Sequence, residues 1–321
     1  MVAGTVALIG QPNVGKSTLL NRLLGQKIAI ASPTPQTTRN RILGVHNRVA
    51  EPDEGLPAAQ LVIVDTPGLH RPGGRGRSKL NQFMVDEALQ VLSDVDVVVA
   101  IISVPRADEL GTGPTRLHAG DQFLLSELER GKKPTVLAVN KVDTLKSKER
   151  LLPLLDSWSK TYPWAALVPI SGLRGDNVPR LEREIVRLLP KGPPLYPLDT
   201  LTDRNERWIG AEFIREQVFL LTKQEIPYAV AVTIDEWEER PRAGKRPADV
   251  MVSATIHVER ETQKKILVGH NGQMIKEIGT RARAEIGRLL DRPVHLSLFV
   301  RVDEDWTQNP SQLREMGYER E

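Results

Sequence analysis

Apolar residues in the first 189 positions form short continuous runs, separated by segments with apolar residues at helical spacing. A continuous apolar run of about four to eight residues is typical of a strand buried on both faces of a parallel sheet. The pattern therefore predicts an α/β domain, with a mainly parallel sheet and helices on both faces. The predicted strands are 6–9, 42–47, 61–64, 95–102, 135–139 and 167–170, and the predicted helices are 18–24, 80–92, 119–130, 148–160 and 178–189. The polar residues 51–59 are expected to form a hairpin insert.

After residue 200 the apolar positions alternate in three segments, which predicts strands with one buried face. These segments are 228–234, 250–258 and 294–302. Helical patterns cover 205–222, 262–268 and 274–290. The order α-β-β-α-α-β predicts an α+β domain in which three strands pack on helices.

A proline-rich segment separates these two patterns. It contains four prolines in the eight residues from Pro190 to Pro197. Such a segment cannot form a helix and is expected to be a fairly stiff, extended connector. We therefore expect a first domain at 1–189, a linker at 190–199 and a second domain at 200–321.

Composition narrows the class of protein without identifying it. The chain has 321 residues, 40% hydrophobic and 26% charged, which suits two ordinary globular domains. It has no cysteine, which excludes disulfides and cysteine–zinc sites and fits a reducing cytoplasm. No signal peptide is expected, and no apolar run approaches the ~20 residues that span a membrane, so any membrane contact is expected to be peripheral. The net charge of +3 permits a nucleic-acid partner without requiring one.

The first candidate site is the segment Gly10-Gln11-Pro12-Asn13-Val14-Gly15-Lys16-Ser17, which lies between a predicted strand and a predicted helix. This is the G-x-x-x-x-G-K-[ST] pattern, in which backbone N–H groups and a helix N-terminus surround phosphate oxygens. Lys16 would place a charge on the outer phosphates, and Ser17 a hydroxyl on Mg²⁺. The pattern indicates a nucleoside triphosphate but not which one.

Two later segments are candidates for contact with the terminal phosphate. The threonine-rich stretch 32–41 could place a hydroxyl on Mg²⁺, although a solvated linker would have the same composition. Asp65-Thr66-Pro67-Gly68 follows a predicted buried strand, where a carboxylate can act as a Mg²⁺ partner and a glycine N–H can approach the γ-phosphate. The alternative is a strand end followed by a Pro-Gly turn.

The segment Asn140-Lys141-Val142-Asp143 follows the strand predicted at 135–139 and favours guanine as the base. Guanine presents adjacent donors at N1 and N2 that one carboxylate can accept together, whereas adenine would leave that carboxylate unpaired. We assign this task to Asp143. Asn140 would tie the base to the phosphate loop, the stem of Lys141 would cover the ring, and a backbone N–H at Ser171-Gly172 could reach O6. An isolated N-K-x-D could also be a turn after a strand, but its position after two phosphate motifs favours the base site.

In the second domain, Gly269-His270-Asn271-Gly272 joins two predicted helices. A Gly-x-x-Gly segment can be a simple tight corner, but it can also bring backbone N–H groups against a nucleic-acid backbone. From Lys264 to Arg292 there are seven Lys or Arg residues and three acids, which suits phosphate contacts. The segment 268–278 is similar to the core of a KH domain, and the element order matches the type II variant. It predicts recognition of single-stranded RNA.

Taken together, the motifs resemble one family over essentially the whole chain. The combination of G-Q-P-N-V-G-K-S-T-L-L-N, P-Q-T-T-R-N-R, D-T-P-G-L-H, L-A-V-N-K-V-D and G-H-N-G is similar to the Era family of bacterial ribosome-assembly GTPases. The resemblance implies GTP hydrolysis to GDP and phosphate, and binding to the 3′ end of 16S ribosomal RNA during 30S assembly. It also implies a cytoplasmic protein with peripheral contact to the inner membrane surface, and we expect a monomer.

The resemblance gives each candidate residue a role. Mg²⁺ is expected on Ser17, Thr38 and Asp65, and K⁺ near Asn13. Lys16, Thr38 and Gly68 are expected to contribute to catalysis, because Leu69 stands where Ras-type GTPases have a water-orienting glutamine. His70 is expected to support the loop rather than act as a base. The expected nucleotide-binding residues are Gly10, Gln11, Pro12, Asn13, Val14, Gly15, Lys16, Ser17, Thr18, Asp65, Thr66, Pro67, Gly68, Leu69, Asn140, Lys141, Asp143, Ser171 and Gly172, and the expected RNA-binding residues are Lys264, Lys265, Gly269, His270, Asn271, Gly272, Lys276 and Arg281.

Three other functions compete with this interpretation. An ATP-dependent enzyme such as a kinase would need an adenine site, against which N-K-V-D argues. A membrane-recruited switch would use the second domain to bind protein rather than RNA. A GTPase of related architecture could act on a different RNA.

Overall fold

The computed structural model describes residues 1–32, 34–69, 78–105, 117–145, 147–222, 226–241 and 248–318. Contacts divide the chain into two compact units. The first consists of Met1–Ala29, Thr38–Arg75 and Met84–Asp203, and the second of Ile30–Thr37, Gly76–Phe83 and Arg204–Glu321.

The first unit is built on a six-stranded sheet with the order β2-β3-β1-β4-β5-β6. Only β2 runs antiparallel to its neighbour, and the other described pairs are parallel. The predicted mainly parallel sheet is therefore confirmed. The strands are β1 (Val2–Gly10), β2 (Ile42–Arg48), β3 (Ala59–Asp65), β4 (Val97–Ser103), β5 (Thr135–Asn140) and β6 (Ala166–Pro169).

In the described part of this unit, five α-helices accompany the sheet. A core of buried side chains lies between β1, β4 and β5 and the apolar faces of α2, α3 and α4, and includes Leu92, Leu124 and Trp158. On the remaining elements, α1 contacts β1–β3 and α5 contacts β5 and β6. The predicted helix 148–160 is a 3₁₀ turn followed by α4. The helices are α1 (Lys16–Leu24), α2 (Lys79–Asp94), α3 (Ala119–Gly131), α4 (Leu151–Ser159) and α5 (Val178–Leu188).

The polar segment predicted as a hairpin insert, 51–59, forms a short turn on this unit. Glu51 and Leu56 form an isolated antiparallel bridge. Ion pairs connect the turn to α5, because Arg183 lies 3.6 Å from Glu51 and 3.4 Å from Glu54. The segment ends one residue earlier than predicted, since Ala59 already belongs to β3.

The proline-rich segment lies along β2 and β3 within the first unit. Gln60 on β3 is fully buried, and its side-chain oxygen accepts from the N–H groups of Leu195 and Tyr196 at 2.6 and 2.9 Å. Further along, the N–H of Val45 donates to the carbonyl of Leu201 at 2.8 Å. The segment is thus a bound strap rather than a spacer through solvent. The predicted domain boundaries at 190 and 200 stay a prediction, since these contacts do not delimit a folding domain.

The second unit contains a three-stranded sheet, in the order β7-β8-β9, packed on helices. The predicted α+β fold is confirmed, with β7 and β8 antiparallel and β8 and β9 parallel. The predicted strand 228–234 is wrong at its start, because Ile226–Ala229 is a 3₁₀ turn. The elements are α6 (Glu206–Leu221), β7 (Ala231–Arg240), β8 (Asp249–Val258), α7 (Glu261–Val268), α8 (Gln273–Leu290), β9 (Val294–Val302) and α9 (Pro310–Glu315).

Two buried features of the second unit have no counterpart in the sequence prediction. Trp306 is fully buried, and its ring stacks on Tyr318 at 5.8 Å. On α6, the buried Arg215 donates from Nη2 to the carbonyl of Thr37 at 2.6 Å, which fixes the end of the segment Ile30–Thr37 in this unit. Among the described residues, no helix is long and apolar enough to cross a membrane.

Candidate functional sites

The phosphate-loop motif forms the turn between β1, which ends at Gly10, and α1, which begins at Lys16. Gly15 caps the helix with φ at 99°, and a Cβ there would lie 2.3 Å from Nδ2 of Asn140. Only glycine fits this conformation and this space. The turn therefore directs its N–H groups and the N-terminal end of α1 to one place, as an anion site requires.

Lys16 is buried inside this turn. Its Nζ donates to the carbonyls of Gly10 and Gln11 at 3.1 and 3.0 Å. Burial lowers the pKa of Lys16 to about 8, although the Asp65 carboxylate opposes the shift. Conversely, burial raises the pKa of Asp65 to about 6, against the charge of Lys16 and the hydroxyls of Ser17 and Thr38. The loop thus holds a desolvated cation that an entering phosphate would stabilise.

Three predicted metal ligands lie together beside Lys16. Ser17 Oγ donates to Asp65 Oδ2 at 2.6 Å and lies 2.9 Å from Thr38 Oγ1. The second carboxylate oxygen, Asp65 Oδ1, is buried without a hydrogen-bond partner among the described residues. Two hydroxyls and a carboxylate are the hard oxygen donors that Mg²⁺ prefers, so the residues fit this ion.

The D-T-P-G segment lies directly against the phosphate loop. Leu69 N–H donates to the carbonyl of Gly10 at 2.9 Å. A Cβ on Gly68 would lie 2.7 Å from the backbone nitrogen of Pro12, so no larger residue fits at this position without a shift. The Leu69 side chain is fully buried in the core and is not available to orient a water. His70 lies outside the described residues.

The candidate base site is held together by Asn140 at the end of β5. Its Nδ2 donates to the carbonyl of Val14 at 2.7 Å, and its Oδ1 accepts from the N–H of Gly172 at 2.8 Å. Lys141 adopts a left-handed conformation, with φ at 68°, and its Nζ donates to the carbonyl of Asn13. One side chain thus connects the phosphate loop with the segment that follows β6.

Asp143 is oriented by that same segment. Ser171 Oγ donates to Asp143 Oδ1 at 2.7 Å, and Ser171 is fully buried. The other oxygen, Oδ2, lies 4.0 Å from Nε of Arg174. The carboxylate is thereby held in one orientation at the carboxyl edge of the sheet, where open α/β sheets bind ligands.

One contact to the phosphate loop was not foreseen from the sequence. Gln11 Nε2 donates to Asp121 Oδ1 at 2.5 Å, and Asp121 Oδ2 accepts from the N–H of His118 at the start of α3. The carboxamide of Gln11 also lies against Gly120, where a Cβ would come within 2.6 Å of it. The sequence does signal a capping role for Asp121, which lies three residues after the helix cap His118. Its second partner, Gln11, lies 110 residues earlier and could not be deduced from spacing.

In the second unit, the Gly-x-x-Gly segment connects α7 to α8. Gly269, Asn271 and Gly272 all have positive φ, and His270 and Asn271 are exposed. The turn leads into the N-terminal end of the 18-residue helix α8. This geometry leaves the turn and the positive end of α8 accessible to an anionic backbone.

A groove of about 270 Å³ lies between α8 and β9. Of the predicted RNA-binding residues, Lys276 lies in this groove. Arg281 is not among the residues that line it, and its Nε pairs with Glu277 at 2.7 Å on α8. Lys265 is exposed on α7 and Lys264 is half-buried there. The lining residues are Ile275, Lys276, Gly279, Thr280, Arg283, Leu296 and Leu298.

Arg283 is the main residue of the groove that sequence reasoning missed. It is exposed and makes no ion pair with the described part of the chain, in contrast to Arg281 and Arg288. Its spacing from Lys276, seven residues, places both on one face of α8. This seven-residue spacing could have identified Arg283 from the sequence, and Arg281 does not share it.

The chain contains a phosphate loop in its first unit and a KH-like groove in its second. Together they define the class of protein: a P-loop GTPase with a KH domain. Family models agree with both parts. Residues 5–141 match the family described as 50S ribosome-binding GTPase, and residues 225–307 match the KH domain.

Whole-chain relatives make the assignment specific. The chain is 45% identical to GTPase Era of Geotalea daltonii, over 99% of this chain and 98% of the relative. It is 46% identical to GTPase Era of Geotalea uraniireducens, with the same coverage. The chain belongs to the Era family of GTPases, and the predicted resemblance is confirmed.

Two solved structures match along the whole length. A single-residue variant of Aquifex aeolicus Era bound to GDP·AlF₄⁻ has a TM-score of 0.87 and 38% identity, with 99% of both chains covered. Era in complex with MgGDPNP and nucleotides 1506–1542 of 16S ribosomal RNA has a TM-score of 0.88 and 39% identity, again with 99% coverage of both. These relatives support Mg²⁺ and a guanine nucleotide as the ligands of the family.

Proposed function

We propose that this GTPase is a nucleotide-controlled switch that binds the 3′ end of 16S ribosomal RNA and assists assembly of the 30S subunit. One observation carries the nucleotide half of the proposal: Ser171 holds the Asp143 carboxylate in one orientation at the sheet edge, as an acceptor for guanine. The RNA half is supported by the groove between α8 and β9 and by the relative solved with a 16S RNA fragment.

Guanine selection would depend on Asp143, which accepts the N1 and N2 donors together. Asn140 keeps the segment that follows β6 at a fixed separation from the phosphate loop. Lys16 exchanges its two carbonyl partners for phosphate oxygens, and the N–H groups from Asn13 to Thr18 surround the same phosphates.

Ser17, Thr38 and Asp65 would hold Mg²⁺. When bound, this ion neutralises charge that develops on the phosphates. Thr38 joins the set through its hydroxyl, which already lies 3.3 Å from the Asp65 carboxylate. We place Lys16, Thr38 and Gly68 nearest to the transferred phosphoryl group.

Hydrolysis in this site would proceed without a side chain at position 69 that orients water, since Leu69 is buried. Backbone donors, the charge of Lys16 and the Mg²⁺ that Ser17, Thr38 and Asp65 would hold are then the main sources of transition-state stabilisation. We propose K⁺ near Asn13 as a further source of positive charge. A hydrolysis rate that is equal in K⁺ and Na⁺ buffers would reject this ion.

RNA would enter the groove as a single strand. The Gly269–Gly272 turn and Lys264, Lys265 and Lys276 would contact its backbone, and the apolar floor of Leu296 and Leu298 would contact the bases. The 30S particle as partner, action as a monomer, a cytoplasmic location and peripheral membrane contact rest on the family resemblance alone.

The test uses the full chain with two sets of ligands. We expect GTP to displace a fluorescent GDP analogue at least about 10³-fold more effectively than ATP. We also expect single-stranded RNA with the terminal 16S sequence to bind more tightly than a scrambled RNA of equal length, at several salt concentrations. Equal competition by ATP would reject the GTPase site, and equal affinity for both RNAs would point to a different RNA partner.

A further inference from the structure

The base segment, residues 171–175 after β6, is also held by a residue on α1 that lies outside every motif. Arg22 is in the last turn of this helix. Its Nη2 donates to the carbonyl of Leu173, and its Nε donates to the carbonyl of Gly172 at 3.4 Å. The guanidinium side chain also packs beside Gly175, where a Cβ would lie 3.8 Å from it.

These contacts fix the direction of two consecutive peptide groups. In a trans peptide the carbonyl and the N–H of the next residue point in opposite directions. Because both carbonyls point to Arg22, the N–H groups of Leu173 and Arg174 point away from α1. Arg174 N–H donates to Ser171 Oγ at 3.0 Å, and this hydroxyl donates to Asp143. The N–H side of the segment therefore faces the Asp143 carboxylate.

The sequence places the O6 donor at Ser171-Gly172, but Ser171 N–H donates to the carbonyl of Asp176 and Gly172 N–H to Asn140 Oδ1. Leu173 N–H is the next donor along the chain, and it has no acceptor among the described residues. Guanine carries its O6 acceptor next to the N1 donor that Asp143 would bind. A donor beside Asp143 is therefore placed for O6.

We infer that Arg22 is a positioning residue for guanine recognition. By donating to the carbonyls of Gly172 and Leu173, it orients the Leu173 N–H toward O6. This inference rests on the guanine site proposed above. It also connects the two ends of the ligand, because the helix that binds the phosphates with its first turn supports the base with its last turn. A planar, five-donor guanidinium suits two adjacent carbonyls better than a lysine would.

The test compares GDP with two analogues in wild-type protein and in Arg22→Ala, Arg22→Lys and Arg187→Ala. 6-Thio-GDP has a weaker acceptor at position 6, and IDP lacks only the 2-amino group. We expect Arg22→Ala to bind GDP about tenfold more weakly and to lose most of the preference for GDP over 6-thio-GDP. Its preference for GDP over IDP should stay, since Asp143 still reads the 2-amino group.

Arg187→Ala is the matched control, because this exposed arginine on α5 pairs with Glu184 on its own helix. It should leave all three affinities unchanged. Arg187→Ala should also leave the saturated turnover of GTP unchanged, because Arg187 contacts neither the base segment nor the phosphate loop. If the GDP to 6-thio-GDP ratio in Arg22→Ala equals that of the wild type, the inference is wrong.

Two further outcomes are separable. If the wild type binds ADP as tightly as GDP, the guanine site itself is rejected, whatever Arg22 does. If Arg22→Ala does not fold, Arg22→Lys decides the question, because it keeps the charge but cannot serve both carbonyls with a planar fork. A full GDP to 6-thio-GDP ratio in Arg22→Lys would then contradict the inference.

Discussion

Ser171 Oγ donates to Asp143 Oδ1 at 2.7 Å, and the serine itself is fully buried. Its backbone is fixed as well, since Ser171 N–H donates to the carbonyl of Asp176 and its own carbonyl accepts from Gly175. The carboxylate is therefore oriented before any base arrives, and base selection depends on a prearranged acceptor.

Asp143→Asn should exchange the preferred base. An amide offers a donor where the carboxylate accepts, so it pairs with the 2-oxo group of xanthine and repels the N1 and N2 donors of guanine. We expect GDP affinity to fall by at least about 100-fold and XDP affinity to rise above it. Competition between labelled GDP and XDP measures both, and Asp156→Asn, an exposed change on α4, is the control. Unchanged base preference in Asp143→Asn would remove Asp143 from the site.

Gly68→Ala should impair turnover more than binding. A methyl group there meets the backbone of Pro12 at 2.7 Å and must push the D-T-P-G segment away from the phosphate loop. A displacement of this kind costs about 100-fold in turnover when it moves a group next to the reacting atoms. We expect GDP affinity to change little. Single-turnover GTP hydrolysis provides the measurement, and Gly192→Ala, with open space around it, provides the comparison. Normal turnover would show that Gly68 is not near the reaction.

The affinity for GDP should decrease at alkaline pH, because Lys16 loses its charge there. The pKa of Lys16 is about 8 in the nucleotide-free protein, and phosphates beside the ammonium must raise it in the complex. Binding then takes up a proton above pH 8, so affinity should fall by up to about tenfold per pH unit there, whereas below about pH 7 Lys16 stays charged and adds no pH dependence of its own. Calorimetry in EDTA measures this. Lys16→Arg is the control: any titration of the guanine is the same in both proteins, but the arginine side chain stays charged over this pH range. Parallel pH profiles for the two proteins would contradict the assignment.

Arg283 and Arg281 offer a matched pair for the RNA groove. Arg283 lines the groove without an ion-pair partner in the described residues, whereas Arg281 pairs with Glu277 outside it. We expect Arg283→Ala to weaken single-stranded RNA binding about five- to tenfold and to reduce the slope of log affinity against log salt by about 0.7. Arg281→Ala should have a smaller effect on both. Titrations at three salt concentrations distinguish them, and equal losses would place the RNA elsewhere on α8.

Most of the fold and of the nucleotide site could be predicted from local patterns, because the residues of each motif lie close together in the sequence. The phosphate loop, the D-T-P-G segment and the N-K-V-D segment each follow a buried strand, so their positions at one sheet edge follow from the parallel order. The strand predicted at 228 failed because alternation at Tyr228 and Val230 also occurs where the 3₁₀ turn Ile226–Ala229 leads into β7. Periodicity over two or three residues cannot distinguish these states.

The remaining contacts join residues that are distant in sequence. Arg22 meets Leu173 across 151 positions, and Gln11 meets Asp121 across 110. Such pairs depend on how helices pack against the sheet, which no spacing rule contains. Thr37 and Thr38 illustrate the same limit, since two adjacent residues of one loop belong to different compact units.

The strap held by Gln60 has a consequence for behaviour at high concentration. β2 lies at one border of the six-stranded sheet, and a border strand with unsatisfied amides invites pairing with a second molecule. Here Leu201 and Thr202 already engage Val45 and Leu43, and the nearby prolines lack the donors that would continue a ladder. A chain whose strap is loosened, for example by Gln60→Ala, should accordingly precipitate or form β-rich aggregates at concentrations where the intact protein stays dispersed.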